Sequence, residues 1–425
     1  MKRMVHAGIA AAAVGILLAG CAAGGDDASS GPITLTFQSL AYQDATIQAT
    51  DDIVAAWNEA HPDVQVELVQ GSWDNVHDQL VTQFQGGTAP DIIHDESADI
   101  AGFAEQGYLA DLSDYLSDDV KGAVSDDVWK SVTDSKGEIV AAPTLLQSYV
   151  VFANTDALAA AGVDVPSGDT LSWDDFADIA KKTTGDGRFG VGWGLKSPTA
   201  TVMNLALGFG GTFFSGEGAD TTIDVGDAEL AVPERIHDMA FQDGSLDPVT
   251  LTQSGSDVLP GFYAGTYAMY VGGNYLAQSL SSDAPEGFDW VALPPLAGSE
   301  GAAQAANPQT LSVPAESKHV KEAAEFIDFF MSNENLAQVA EGDWLVPTSS
   351  AAQQQVLADT NGENGWDQAV ASVQGMETAP FQTATDYPQW KDQIATPALQ
   401  QYFADQISLD DLKKQLVDGW AQVNG

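Results

Sequence analysis

Three polar side chains follow a short apolar stretch early in the chain, and they could bind a ligand or catalyse a reaction. Ile92 and Ile93 form the stretch, and Asp95, Glu96 and Ser97 come soon after it. Polar groups at the carboxyl end of a strand lie at the edge where open α/β sheets bind ligands. Paired acids also catalyse glycoside hydrolysis, and with 61 Asp and Glu residues such pairs arise by chance. Ligand binding and hydrolysis therefore both stay open here.

The same segment offers metal-ligand side chains, because His94 precedes the two acids. A metal site needs further ligands at suitable spacing, and the sequence around this loop provides none. The single cysteine, Cys21, excludes both an internal disulfide and a thiolate site. We predict no metal and no cofactor.

A literal G-x-G-x-x-G match occurs at residues 185–190. A dinucleotide site requires a strand before this motif and a helix after it. Here a helical pattern comes first and an extended run follows, so we predict a turn.

Helix and strand patterns around the acids predict an α/β arrangement. Gly86 and Gly87 stand where helices commonly end, and Pro90 prevents the helix from continuing. Upstream, residues 33–37 and 64–68 show strand-like alternation, with an amphipathic helix between them. This β-α-β-α-β order implies a parallel sheet covered by helices.

More polar residues follow the first predicted strand. Gln38, Ser39 and Tyr42 lie at its carboxyl end. We therefore expect them at the ligand-binding edge of the sheet.

The amino terminus predicts an exported chain. Lys2 and Arg3 precede an apolar run at 7–19, which is shorter than the roughly 20 residues of a membrane-spanning helix. This pattern is typical of a secretory signal peptide. The sequence L-A-G-C resembles a lipobox, which makes Cys21 the expected lipid anchor on the outer face of the cell membrane. Gly, Ser and Asp dominate the next residues and predict a flexible tether.

The charge balance narrows the choice of partners. Fifteen Lys and Arg residues stand against 61 Asp and Glu, a net charge of −46. Such a chain repels nucleic acid, and the scarcity of cations argues against a strongly anionic ligand. A cationic ligand such as a polyamine stays open.

Several motifs along the chain resemble one protein family. Residues 79–112 contain G-G-T-A-P-D-I-I, an acidic loop and A-G-F-A-E-Q-G-Y-L-A-D-L. Further on stand T-L-S-W-D-D-F and a Gly-rich strand end, G-G-N-Y, with Tyr275 where the family usually has Trp. This series resembles the extracytoplasmic sugar-binding proteins of ABC importers, the maltose-binding-protein-like family. The resemblance covers nearly everything from Ile33 and is looser after Thr348.

The resemblance implies an α/β, two-lobe periplasmic-binding-protein-like fold (type II), with mainly parallel sheets flanked by helices and a ligand cleft between the lobes. It also implies chain crossings near Gln147, Asn307 and Trp344. The expected divisions are a signal peptide at 1–20, a tether at 21–32, a first lobe from 33–146 plus 307–345, and a second lobe from 147–306 plus 346–425.

The resemblance further implies a function without chemistry: capture of a mono- or oligosaccharide by hinge closure and delivery to an ABC permease, by a monomer. Aromatic faces would pack on sugar rings, and a few polar groups would bind hydroxyls. Tyr387 and Trp366 are rivals of Trp390 as the late stacking aromatic. The expected ligand-binding residues are Gln38, Ser39, Tyr42, Asp95, Glu96, Ser97, Gln147, Asn274, Tyr275, Trp344 and Trp390.

Overall fold

The structure is a computed structural model, and it describes residues 31–216 and 220–424. The expected signal peptide, the anchor Cys21 and all but the end of the tether lie outside the described residues. Within them, no helix combines the length and apolar character needed to cross a membrane.

The first lobe is built on a six-stranded sheet with the order β14-β4-β13-β3-β1-β2. Its strands are β1 (Ile33–Ser39), β2 (Val64–Gln70), β3 (Ile92–Glu96), β4 (Ala141–Leu146), β13 (Pro308–Ser312) and β14 (Val346–Pro347). The second lobe is built on a four-stranded sheet with the order β11-β5-β10-β7. Its strands are β5 (Tyr149–Asn154), β7 (Phe189–Trp193), β10 (Tyr267–Gly273) and β11 (Trp290–Ala292).

Two short strand pairs and the helices complete the lobes. The pairs are β6 (Leu171–Ser172) with β12 (Leu296–Ala297), and β8 (Phe214–Ser215) with β9 (Thr222–Ile223). The α-helices are α1 (Asp44–Ala60), α2 (Val76–Gly86), α3 (Ser97–Glu105), α4 (Asp118–Ala123), α5 (Asp126–Lys130), α6 (Thr155–Ala160), α7 (Trp173–Thr183), α8 (Thr199–Ala206), α9 (Asp227–His237), α10 (Gly255–Tyr263), α11 (Leu276–Ser282), α12 (Val320–Phe330), α13 (Asn333–Asp343), α14 (Ser350–Thr360), α15 (Trp366–Ser372), α16 (Tyr387–Trp390), α17 (Thr396–Phe403) and α18 (Leu409–Val423). Single turns of 3₁₀-helix occur at Leu207–Phe209, Thr250–Thr252 and Pro380–Thr383, and π-helical turns at Asp238–Gln242 and Lys391–Ala395.

Each sheet has a hydrophobic core on both faces, which explains the unbroken apolar strands. Ile92 and Ile93 are neighbours on β3, yet they pack into cores on opposite faces. Phe152 and Ala153 divide in the same way on β5 of the second lobe. Strands buried on both faces lose the polar alternation of a half-exposed strand.

The sheets are mixed, so the expectation of mainly parallel pairing is wrong, although the two-lobed α/β fold class is confirmed. β1 is parallel to β2 and β3, and β10 is parallel to β7. β13 and β14 enter the first sheet antiparallel to their neighbours, and β5 pairs antiparallel with β10 and β11. β5 and β13 each come directly after a lobe crossing, and each runs antiparallel to both of its neighbours in the sheet.

The expected boundary between 345 and 346 is also wrong. β14 hydrogen-bonds to β4 of the first sheet, and α14 and α15 follow it. Val356, Trp366 and Met376 belong to the first-lobe core, whereas Ala379 belongs to the second-lobe core. The last crossing therefore lies between Met376 and Ala379, and residues 346–376 extend the first lobe.

Candidate functional site

The carboxyl ends of β1 and β3 form one edge of the first sheet. The strands are parallel neighbours in which Gln38 lies opposite Ile93. This register brings Ser39 close to the acids that end β3. Gln38 and Ser39 are buried, whereas the Tyr42 side chain at the rim is 56% exposed.

His94 holds this edge together and is not free to bind a metal. The Leu40 N–H donates to Nδ1 over 3.1 Å, so Nε2 carries the proton and donates to Gln309 Oε1 over 3.0 Å. Burial lowers the pKa of His94 to about 4, which keeps the ring neutral. Among the described residues, no group of three or more His, Cys, Asp or Glu is arranged to hold a metal ion.

Asp95 and Ser97 are fully buried and bonded within the protein. Asp95 Oδ1 accepts the Glu96 N–H over 2.9 Å, and burial raises the pKa of Asp95 well above its ordinary value. The Ser97 hydroxyl donates to Asn307 Oδ1 over 2.9 Å. These two predicted ligand residues thus shape the edge from beneath it.

Glu96 is the carboxylate of this edge with an oxygen left for a ligand. It is partly buried, and Asn307 Nδ2 donates to its Oε2 over 2.9 Å. Burial, and then the negative charge of Asp99, raises the pKa of Glu96 to about 7. A carboxyl group that is half protonated near neutral pH both accepts and donates hydrogen bonds.

An ion pair that sequence reasoning missed joins the two lobes beside Glu96. Lys391 Nζ lies 3.0 Å from Asp99 Oδ1, and both side chains are largely buried. Burial opposes the charge on Lys391, but the carboxylate of Asp99 raises the pKa of this lysine. The one signal for Lys391 in the sequence is its position directly after Trp390, the expected aromatic residue.

Trp390 itself is not a ligand platform. It is fully buried in the second-lobe core, where its ring meets Phe214 edge-on at 5.1 Å and its indole N–H donates to the Leu416 carbonyl over 3.0 Å. Its rival Tyr387 is also buried in this core. The other rival, Trp366, is buried in the first lobe and stacks on Trp344 at 5.4 Å.

Asn274 ties the hinge segments together. Its Oδ1 accepts the backbone N–H of Ser148, and its Nδ2 donates to the Trp344 carbonyl, each over 2.9 Å. Trp344 ends α13 in left-handed conformation, with φ at 55°. The structure thus uses Asn274 and Trp344 to connect β4, β10 and α13 at the crossing.

Tyr275 bridges the lobes next to this hinge. Its ring packs against core residues of both lobes and lies over Gly273. A Cβ on residue 273 would come within 2.3 Å of the Tyr275 ring and 3.3 Å of Gln147 Nε2. Burial, and then the charge of Glu96, raises the pKa of Tyr275.

Tyr149, which sequence reasoning also missed, packs against the second-lobe core within electrostatic range of Glu96. Burial is the main cause of its raised pKa, and the charges of Tyr275 and Glu96 raise it further. Glu96 of the first lobe is therefore within electrostatic range of Tyr149 and Tyr275 of the second lobe, and of Lys391, which pairs with Asp99. We call these four residues the interlobe cluster. Its phenol, ammonium and carboxyl groups can bind hydroxyl groups, and its rings can cover apolar surface.

A separate crevice of about 400 Å³ lies along another face of α3. The first lobe contributes Ala101, Glu105 and Ser135, and the segment after the last crossing contributes Gln382 and Thr383. Of the predicted ligand residues, Ser97 alone lines this crevice.

With the fold and the cluster described, the family can be stated. Residues 43–337 match the family model of bacterial extracellular solute-binding proteins. The chain belongs to this family. The resemblance found in the motifs of this solute-binding protein is therefore confirmed.

Known proteins similar to this solute-binding protein cover most of its length. An uncharacterized lipoprotein from the oleD 5′ region of Streptomyces antibioticus is 43% identical and covers 95% of this chain and 90% of its own. The arabinooligosaccharide-binding protein of Bacillus subtilis is 25% identical, over 75% of this chain and 74% of its own. Among solved structures, the GacH receptor of Streptomyces glaucescens has a TM-score of 0.78 at 20% identity, over 92% of this chain and 98% of that one.

Proposed function

We propose that this solute-binding protein captures a mono- or oligosaccharide between its lobes and delivers it to the permease of an ABC importer. The lobes close on the ligand by a hinge at residues 147–148, 307 and 377–378. No reaction takes place in the cleft.

The observation that carries this proposal is the interlobe cluster. Closure brings Glu96 from one lobe against Tyr149 and Tyr275 from the other, so a ligand held there contacts both bodies. Saccharides match this chemistry because they present hydroxyl edges and apolar ring faces. The oligosaccharide-binding relative from Bacillus subtilis supports the same ligand class.

A polyamine is the second candidate, and a particular imbalance of charge favours it. The negative charges of Asp95, Glu96 and Asp99 act on one another, and Lys391 lies 3.0 Å from Asp99. A cationic ligand would offset the remaining negative charge. A polyamine, however, would leave the rings of Tyr149 and Tyr275 without a matching flat apolar surface.

The surroundings of the two acids beside Glu96 support the absence of catalysis. Hydrolysis of a glycoside requires two carboxyl groups that both reach the scissile bond. Asp95 is fully buried beneath the surface and Asp99 pairs with Lys391, so neither acid offers a second carboxyl group to a glycoside bound at Glu96.

We further propose that a lipid on Cys21 anchors the protein, as a monomer, to the outer face of the cell membrane. The L-A-G-C sequence supports the anchor. A tether after Cys21 would let the globular part reach a permease in the same membrane.

Isothermal calorimetry with a panel of neutral oligosaccharides, putrescine and spermidine tests the ligand class. We expect one saccharide to bind, and we expect Glu96→Gln to weaken the binding of this saccharide. Glu59→Gln is the matched control, because Glu59 lies on the exposed face of α1. Binding of a polyamine and of no saccharide would overturn the proposed class, and release of shorter sugars would overturn the absence of catalysis.

A further inference from the structure

One face of α3 is shaped to receive the second lobe. Ala98 is a first-lobe residue by sequence, yet it packs into the second-lobe core. One turn later, a Cβ on Gly102 would approach the Thr385 carbonyl oxygen to 3.3 Å. These two small residues at i and i+4 lie on one helix face, and they let the segment around Thr385 lie directly on α3. Asp99 stands between them on the same helix.

Lys391, the partner of Asp99, is held in place by the second lobe. Lys391 begins a π-helical turn, Lys391–Ala395, directly after the fully buried Trp390. The bond from the Trp390 indole to Leu416 fixes this point of the backbone to α18. π-helical turns are rare and frequently occur at functional sites.

The Asp99–Lys391 pair therefore joins the two lobes beside the close packing of Ala98 and Gly102 against the second lobe. Its atoms are 3.0 Å apart, and the side chains are 24% exposed for Lys391 and 16% for Asp99. A rotation of the lobes that moved α3 away from the π-helical turn would break the pair. We propose that Asp99 and Lys391 are positioning residues that act as an interlobe latch, whose ion pair forms on closure and shifts the open–closed equilibrium toward the closed state.

The latch deepens the proposed function, because a ligand held by Glu96 lies beside the pair and needs the closed state. The free energy that a partly exposed ion pair contributes falls between those of exposed and of fully buried pairs. Loss of the pair should therefore lower the ratio of closed to open protein roughly tenfold. Apparent affinity falls with the fraction of competent protein. Where the closed state is the minor one, the apparent dissociation constant should also rise roughly tenfold.

The test measures the distance between the lobes in the full-length protein without any ligand. Cys21→Ser removes the one native cysteine, and Val69→Cys and Val249→Cys place fluorophores on exposed positions of the two lobes. Single-molecule energy transfer then reports the open and closed populations. Because no saccharide is added, the result does not depend on whether the proposed ligand class is right.

Lys391→Met should shift the population toward the open state, and the charge exchange Asp99→Lys with Lys391→Asp should restore part of the closed state. The control is Lys414→Met, which removes an equal charge and breaks the Lys414–Asp418 pair within α18. Equal distributions for Lys391→Met and Lys414→Met would overturn the latch. A charge exchange that remains as open as Lys391→Met would overturn it too, since the attraction between the two charges would not be the cause.

Discussion

Glu96→Gln should make the protein more stable at neutral pH, although it should weaken ligand binding. Burial and the charge of Asp99 raise the pKa of Glu96 from its ordinary 4.5 to about 7. The folded protein therefore holds this proton in a pH range where the unfolded chain has released it. Such a group stabilises the fold at low pH, and its contribution is lost as the pH rises from about 4.5 to about 7.

The size of the effect follows from the shift. Each pKa unit corresponds to about 1.4 kcal/mol, so the rise from 4.5 to about 7 sets an upper limit of roughly 3.4 kcal/mol at pH 8. Partial exposure of Glu96 to water reduces this, and we expect a gain of about 1–2 kcal/mol for the variant. At pH 4 the carboxyl group is protonated in both states, and the gain should disappear.

Urea unfolding at half-unit steps from pH 4 to pH 8 measures the difference between Glu96→Gln and the parent. Asp343, whose pKa burial also raises, remains in both proteins and largely cancels. The charge of Glu96 contributes to the raised pKa of Asp95, so its removal in the variant acts in the same direction as the expected gain. Glu59→Gln on the exposed face of α1 serves as the control. A difference that stays constant over this range, or that favours the parent as the pH rises, would refute the reasoning.

Three other substitutions test separate parts of the proposed site. Tyr275→Ala should weaken saccharide binding in calorimetry roughly thirtyfold, because truncation of an aromatic anchor costs about 2 kcal/mol. Tyr115 is exposed, so Tyr115→Ala should bind like the parent. Trp390→Ala should lower the free energy of unfolding by roughly 3–5 kcal/mol, because it empties a buried site, and a stable variant that has lost binding would contradict this core role. Cys21→Ser should move the protein from the membrane fraction to the soluble fraction, and unchanged attachment in fractionated cells would rule out the anchor.

The sequence predicted elements better than it predicted which side chains reach the cleft. The strand before Asp95, the left-handed helix end at Gly87 and the turn after α7 all follow from local rules, and the structure has them. Trp390 and Lys391 show the limit. Trp390 ends α16, and Lys391 begins the π-helical turn that follows. Because neighbouring residues on a helix point in different directions, Trp390 packs into the core and Lys391 pairs with Asp99 of the other lobe.

The lobe boundary failed for a different physical reason. β14 is only two residues long, and its pairing with β4 depends on backbone hydrogen bonds that leave no periodic signal. Trp344 ends its helix with a positive φ, which is uncommon for a bulky residue. The residues around it do not predict this conformation. Its stacking on Trp366 keeps the chain in the first lobe beyond the expected crossing.

The position of β13 also determines when the first lobe can fold. This strand lies between β3 and β4, although it comes from a part of the chain made long after both. Until β13 arrives, β3 and β4 lack their shared neighbour and the sheet remains in two parts. Contacts so distant in sequence fold slowly. We therefore expect the amino-terminal segment to stay unfolded during synthesis, which is the state that export through a narrow channel requires.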